Sequence, residues 1–281
     1  MLVVSVQPSS ECLRSIPSRC TRITPPYILK TPIQPLHTSD DHEDDMARFV
    51  GTSGYNYKEW KGVFYPDKTA SKDMLSYYAS QLNTVEINNT FYRVPKPHVV
   101  ESWVKQVPDS FRFVAKATRR ITHIKRLKEA GEETEYFLGI ASHFGQSLGA
   151  ILFQLPPFLR GDVDRLRAFV DTLPDDTQAA FEFRHDSWYE DDVFDTLRER
   201  NLALCFAHDA EDTDEDVARR FASTADWGYL RLRAKGYTDE ELRAWSTRIE
   251  AQDWKESYIF FKHEDDGAGP ELAARFNALS G

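Results

Sequence analysis

Cysteine is scarce in this chain, and its few residues are badly placed for a disulfide framework. Of three cysteines, Cys12 and Cys20 fall in the first 45 residues and only Cys205 lies further on, inside an apolar run. One isolated thiol among apolar neighbours reads as packing in a reducing, cytoplasmic setting. Long hydrophobic runs are missing too. No stretch approaches the roughly 18 apolar residues of a membrane span, and Leu2-Val3-Val4 is too short for a signal-peptide core. No Gly-x-Gly-x-x-Gly follows a strand signal and no phosphate loop is present, which argues against the common nucleotide folds. Neither His-x-His nor His-Glu-x-x-His spacing occurs, so no cofactor is expected; a divalent metal enters only as a side possibility. Basic residues are outnumbered, 35 against 45 acidic, for a net charge of -10. A chain of that balance is not broadly attracted to phosphate backbones or anionic membranes, although a local basic cleft is compatible with it.

What is present divides into two parts. Residues 1–45 are rich in Pro, Ser and Thr, follow no helical or strand period, and end in the acidic run Asp40-Asp41-His42-Glu43-Asp44-Asp45. Such a composition buries too little surface to order itself and is expected to be disordered. Met46-Ala47-Arg48-Phe49-Val50 would make a natural start, so the preceding stretch is read as an upstream extension, with a targeting segment (Arg14, Arg19 and Arg22 among serines) as the competing idea. A single domain is expected over residues 46–281.

Beyond Met46, short β-branched and aromatic runs alternate with helical patterns. Strand signals cover Arg48–Tyr55, Thr84–Tyr92, Arg112–Thr118, Ala150–Leu155, Ala179–His185, Leu202–His208, Gly228–Arg233 and Tyr258–Glu264, their starts 23 to 38 residues apart. That spacing suits a strand, a crossover helix and two loops. Leu166, Phe169, Val170 and Leu173 form a helical stripe, Thr238 and Glu241 a capping box, and Pro270 suits the first turn of a last helix. Eight βα units predict an α/β fold closed as a (β/α)8 TIM barrel, with a large doubly wound open sheet as the alternative.

Strands covered on both faces should be almost wholly apolar, and several here are not. Alternation sets Glu86, Asn88 and Thr90 against Val85, Ile87 and Phe91; Glu182 and Arg184 against Phe181 and Phe183; Lys116 and Thr118 against Phe113 and Ala115. Gln154 is polar in the fourth strand, and Arg231 and Arg233 alternate with Leu230 and Leu232 in the seventh. The polar parity is expected to point into the barrel, at the strand ends where barrel enzymes work. Buried charges must pair or reach a solvated cleft, so an internal network such as Glu86 with Lys116 and Glu182 with Arg231 is the structural alternative to a ligand site. Lys116, Arg184, Arg231 and Arg233 outnumber Glu86 and Glu182, which points to a small anionic ligand such as a phosphate or carboxylate.

On that reading the arginines clamp an anion, Glu86 or Glu182 exchanges a proton, and Lys116 acts electrostatically or as a Schiff-base nucleophile. Ser53, Tyr55, Asn88, Thr90, Tyr92, Gln154 and Trp188 complete the expected substrate contacts. The aromatic stretch Tyr55, Tyr57, Trp60, Phe64, Tyr65 either lines a pocket mouth or plugs the barrel end. His185, His208 and His263, beside Asp186, Asp209 and Glu264, are the candidate metal ligands, against which stands the helix-facing parity of His185 and His263. A nucleic-acid-directed protein, either a metal-dependent phosphodiesterase or a DNA binder, and a non-catalytic ligand sensor remain as alternatives. Oligomeric state is not legible.

Together these runs resemble the YecE-like family, catalogued as domain of unknown function 72. The matching pieces are Gly51-Thr52-Ser53-Gly54-Tyr55 with Trp60 and Phe64-Tyr65-Pro66, then Val85-Glu86-Ile87-Asn88-Asn89-Thr90-Phe91-Tyr92-Arg93, and Lys116 followed by Ile121-Thr122-His123. Leu152-Phe153-Gln154-Leu155-Pro156-Pro157 and Glu182-Phe183-Arg184-His185 with Ser187-Trp188 follow in order. The resemblance implies a TIM barrel and, through a likeness of some members to endonuclease IV-type barrels, a DNA-repair analogy at the level of fold alone. Where such proteins often end the seventh strand in Arg-Leu-His-Gly, this chain reads Arg231-Leu232-Arg233-Ala234.

Overall fold

In the computed structural model, which describes residues 46–262 and 267–280, eight parallel strands close on themselves in sequence order. They are β1 (Ala47–Ser53), β2 (Thr84–Ile87), β3 (Arg112–Lys116), β4 (Leu148–Gln154), β5 (Ala179–Glu182), β6 (Ala203–His208), β7 (Trp227–Leu232) and β8 (Glu256–Phe261). Closure is made by β1, which pairs with β2 through Gly51↔Thr84 and with β8 through Val50↔Ile259. Between the strands run α1 (Met74–Gln81), α2 (Asn89–Tyr92), α3 (Pro97–Val104), α4 (Gly131–Ala141), α5 (Val163–Val170), α6 (Asp191–Arg198), α7 (Asp214–Arg220), α8 (Asp239–Glu250) and α9 (Ala268–Leu279). The (β/α)8 expectation is met. The first 45 residues lie outside the described part of the chain.

Alternation along each strand separates two cores. Val85, Phe153, Phe181, Leu230 and Ile259 belong to the layer shared with the helices, against Leu166, Phe169, Leu242 and Phe276. Val114, Leu152, Ala180, Cys205, Tyr229 and Phe260 form a second cluster inside the barrel. Removing a large apolar side chain from water in this way contributes roughly 1.5–3 kcal/mol each. Inside, the layer nearest the strand starts is apolar and the layer at the strand ends is polar. The site is therefore built on the rigid end of a packed plug.

Local signals fix the helix starts. The Asp162 side chain accepts from Arg165 N at 3.0 Å at the start of α5. The Thr238–Glu241 capping box opens α8, with both reciprocal hydrogen bonds present, and Thr213 with Asp216 does the same for α7. Pro270 occupies the first turn of α9, where its missing N–H costs nothing.

Most strands stop earlier than their sequence signals, β2 by five residues and β5 by three. β2 ends at Ile87; Asn88 turns helical at φ -79° and ψ -23°, and Asn89–Tyr92 form one turn. The Thr90 hydroxyl makes the change possible by donating to Ile87 O at 2.8 Å and Lys116 O at 2.7 Å, satisfying carbonyls at the sheet edge. β5 ends at Glu182, after which His185 caps a short 3-10 turn, Asp186–Trp188, its Nδ1 accepting from Ser187 N. Beyond Ile87 and Glu182 the turn, not strand alternation, sets side-chain direction, and Asn88 and Arg184 still reach the cavity. The strand-eight signal beyond Lys262 falls outside the described residues.

Candidate functional site

Glu86 and Arg231 occupy strands that are not neighbours, so their contact must cross the barrel interior. Arg231 Nη2 donates to Glu86 Oε1 at 2.9 Å and Nη1 to Glu182 Oε2 at 2.6 Å. Tyr229 Oη donates to the other Glu86 oxygen at 2.6 Å, and Gln154 Nε2 to Glu182 Oε2 at 2.8 Å. Arg233 adds a longer contact to Glu182, 3.4 Å, and pairs with Asp209 on the loop after β6. Glu86 and Glu182 are wholly buried, and Arg231 is 1% exposed.

Of the two pairs expected from the sequence, Glu182 with Arg231 is present and Glu86 with Lys116 is not. Arg231 bridges both carboxylates, and Lys116 has no carboxylate within 4 Å among the described residues. Burial alone would raise the Glu182 pKa, but the charges of Arg231, Arg233 and Lys116 overcome it and bring the group down to about 2. For Arg231, burial opposes the charge, yet Glu86 and Glu182 hold its pKa well above the ordinary arginine value. Burial, then the Glu86 charge, pushes the Tyr229 phenol well up, so it stays a donor. Both acidic candidates are thus committed counter-ions of Arg231.

Above this layer, at the C-terminal mouth, lies a cavity of about 320 Å³. Among the described residues its walls are Tyr57, Asn88, Asn89, Tyr92, Lys116, Gln154, Arg184, Arg231, Arg233 and Lys262, with five cationic side chains and no carboxylate. Lys116 is 8% exposed, and its Nζ sits 4.6 Å from the centre of the Phe91 ring. Burial, followed by the Arg231 charge, outweighs Glu86 and Glu182 and lowers the Lys116 pKa to about 8. His123, whose ring packs edge-on to Phe91 at 4.9 Å, also has a lowered pKa, through burial and then Lys116 and Arg184. A hollow of about 280 Å³ at the opposite end holds charges that pair off, Lys255 with Asp226 at 2.6 Å and Arg200 with Asp175 at 3.1 Å.

The structure brings together Lys116, Gln154, Arg184, Arg231, Arg233, Asn88 and Tyr92 from the sequence-predicted set. Ser53 lies just beneath, its Oγ 3.5 Å from Arg231. Thr90 is spent on backbone carbonyls and fixes Lys116 from behind. Tyr55 faces a separate hollow of about 70 Å³ and tilts against Tyr78. Trp188 is not a ligand contact: fully buried, it stacks on Phe183 at 4.7 Å and donates to Leu159 O at 2.8 Å. Trp60 and Tyr65 are likewise packed away, against Phe64. Phe91, expected on the helix side, instead reaches Lys116 because β2 has already ended.

The histidines do not converge. His185 Nδ1 meets Ser187 Oγ at 2.8 Å, and His208 Nδ1 meets Tyr237 Oη at 2.7 Å beside Trp245 on the outer side of β6. His263 lies outside the described residues. Among the described residues, no three of His, Cys, Asp and Glu form a group that could hold a metal ion. Sequence reasoning missed Lys262, Asn89 and Tyr229. Lys262 shares the parity of Tyr258 and Phe260, and Tyr229 that of Arg231, so alternation carried both signals.

Residues 49–281 match the model of the family described as "Protein of unknown function DUF72". UPF0759 protein YecE of Escherichia coli K12 is 34% identical over 116 residues, 41% of this chain and 43% of that protein. UPF0759 protein YunF of Bacillus subtilis 168 is 29% identical over 150 residues, 50% and 52% of the two chains. The matched stretches thus span about half the length of these relatives. Among solved structures, a DUF72 family protein from Thermotoga maritima MSB8 superimposes with a TM-score of 0.72 at 24% identity, covering 83% of this chain and 98% of that one. One from Enterococcus faecalis V583 gives 0.65 at 20% identity, covering 83% and 95%. At these identities the superpositions speak to the fold. No helix among the described residues is long and apolar enough to cross a membrane.

Proposed function

This chain belongs to the DUF72 family, and we propose that its C-terminal mouth binds a small anion, a phosphate- or carboxylate-bearing molecule. The observation that carries the reading is the cavity wall: among the described residues, five cationic side chains and no carboxylate surround about 320 Å³. Glu86, Glu182 and Asp209 partner two of those cations from outside the wall, so among the described residues the cations outnumber the carboxylates near them. A partly enclosed cation cluster of that kind favours an anion through charge-assisted hydrogen bonds. Arg184 and Lys262 stand beyond the ends of β5 and β8, whereas Arg231 is held by two carboxylates below, so the ligand meets loop donors above a fixed one.

Glu86 and Glu182 serve this site by orienting Arg231; their burial and pairing take them out of proton transfer. A nucleic-acid partner finds less support. The chain's formal net charge of -10 disfavours a polyanionic partner. Isothermal calorimetry with inorganic phosphate, pyrophosphate and pyruvate tests the proposal. Millimolar or tighter binding that weakens about tenfold in Arg184→Gln is expected, since a charged hydrogen bond contributes roughly 1.5–3 kcal/mol. No heat with any of the three, alongside salt-sensitive binding of duplex DNA, would transfer support to the nucleic-acid reading.

A further inference from the structure

We propose that Lys116 is a covalent nucleophile, whose amine adds to the carbonyl carbon of a small aldehyde or ketone that also carries a carboxylate or phosphate. The inference rests on the anion-binding reading of the same cavity and adds a reaction to it.

Position is the first argument. Lys116 ends β3 with its side chain on the interior parity, and it is 8% exposed yet lines the cavity. Its main chain is pinned by Thr90, which donates to Lys116 O at 2.7 Å, so the four-carbon stem swings from a fixed root. Partnership is the second. Arg231 and Arg233 are tied to carboxylates, and guanidinium groups stay protonated in any case. The Lys116 nitrogen has no carboxylate within 4 Å among the described residues and rests against the Phe91 face. The Phe91 face favours the ammonium only as a cation–π contact and supplies no counter-ion. Delivery is the third: Arg184, Arg231 and Lys262 line the same space, so they would hold an anionic group and leave the carbonyl toward the remaining amine.

The lowered pKa agrees with this placement. At about 8, roughly one amine in ten is neutral at pH 7, where an unperturbed lysine offers about one in several thousand. In the addition, the nitrogen lone pair forms the C–N bond while the carbonyl π pair moves to oxygen. Proton transfer from nitrogen to oxygen gives a carbinolamine, and loss of that oxygen as water forms the C=N bond. Ammonium plus carbonyl thereby yields a protonated imine plus one water, with no outside oxidant or reductant.

The full chain would be incubated with pyruvate or glyceraldehyde 3-phosphate, reduced with sodium borohydride, and mapped by peptide mass spectrometry, with acetone and propanal as uncharged controls. A single reduced adduct on Lys116 is expected, about tenfold more abundant with the anionic carbonyls than with the controls. Its initial rate of formation should rise with pH around a midpoint near 8. Lys116→Arg should abolish it while leaving the thermal melt in place. Labelling spread over exposed lysines such as Lys58 and Lys61, or no preference for anionic carbonyls, overturns the proposal. The mapped position in the wild-type chain decides even if the variant does not fold. Calorimetric binding of pyruvate without a Lys116 adduct removes the imine and leaves the anion site standing; neither binding nor adduct removes both.

Discussion

Tyr229 and Glu86 sit on strands separated by β1 and β8, yet the phenol donates to the carboxylate at 2.6 Å through the barrel centre. The bond joins the apolar plug to the charged layer above it. Tyr229→Phe keeps the ring and removes only the donor, leaving a wholly buried carboxylate oxygen without that partner. A loss of about 1–3 kcal/mol is expected, read as a lower urea midpoint at unchanged slope.

Arg231 carries more. With it gone, Glu86 keeps the Tyr229 hydroxyl and Glu182 only Gln154 and the longer Arg233 contact, and Arg231→Met should cost about 3–5 kcal/mol in equilibrium urea unfolding. Adding Glu86→Gln and Glu182→Gln to that variant should recover part of the loss, because the remaining cost is then polar burial instead of charge burial. A triple variant no more stable than the single one would contradict the counter-ion assignment.

Stability should fall in acid through Glu182. Its folded pKa of about 2 lies below the ordinary 4.5, so its contribution is complete above about pH 4.5 and disappears as pH drops through about 2. The contribution is on the order of 3 kcal/mol. Urea midpoints measured from pH 6 down to pH 2 should show this decline, and Glu182→Gln should flatten it.

Trp188 separates packing from binding. Trp188→Ala should cost about 3–5 kcal/mol, as expected for emptying a buried aromatic site. Phosphate affinity, measured below the melting transition, should stay within about twofold of wild type, since the ring does not reach the cavity wall. Arg184→Gln should show the reverse pattern, weakened binding at an unchanged urea midpoint.

The eight strands were legible because each is a β-branched and aromatic run bounded by turn residues, and closure followed from their number. Parity also identified the inward charges at Glu86, Lys116, Glu182 and Arg231. It failed where a strand ended before its apolar pattern did. Asn88-Asn89-Thr90-Phe91 reads as a continuing strand, and only the Thr90 hydroxyl, bonded to carbonyls from two strands, shows why the chain turns there. Trp188 reads as a ligand contact in sequence because an aromatic after a strand end looks the same whether it faces solvent or Phe183. The pairing was legible in part: Glu182 with Arg231 was expected, whereas the second arm of Arg231 to Glu86 depends on a cross-barrel distance that no local pattern encodes.

The cationic mouth sits on a chain whose formal net charge is -10. At distances beyond the Debye length of about 8 Å the solution screens both, but at low ionic strength the body's field extends further than that of the pocket. An approaching anion is then repelled before it is attracted. Added salt should therefore speed entry while loosening the bound state, so that on-rate and affinity move in opposite directions as ionic strength rises.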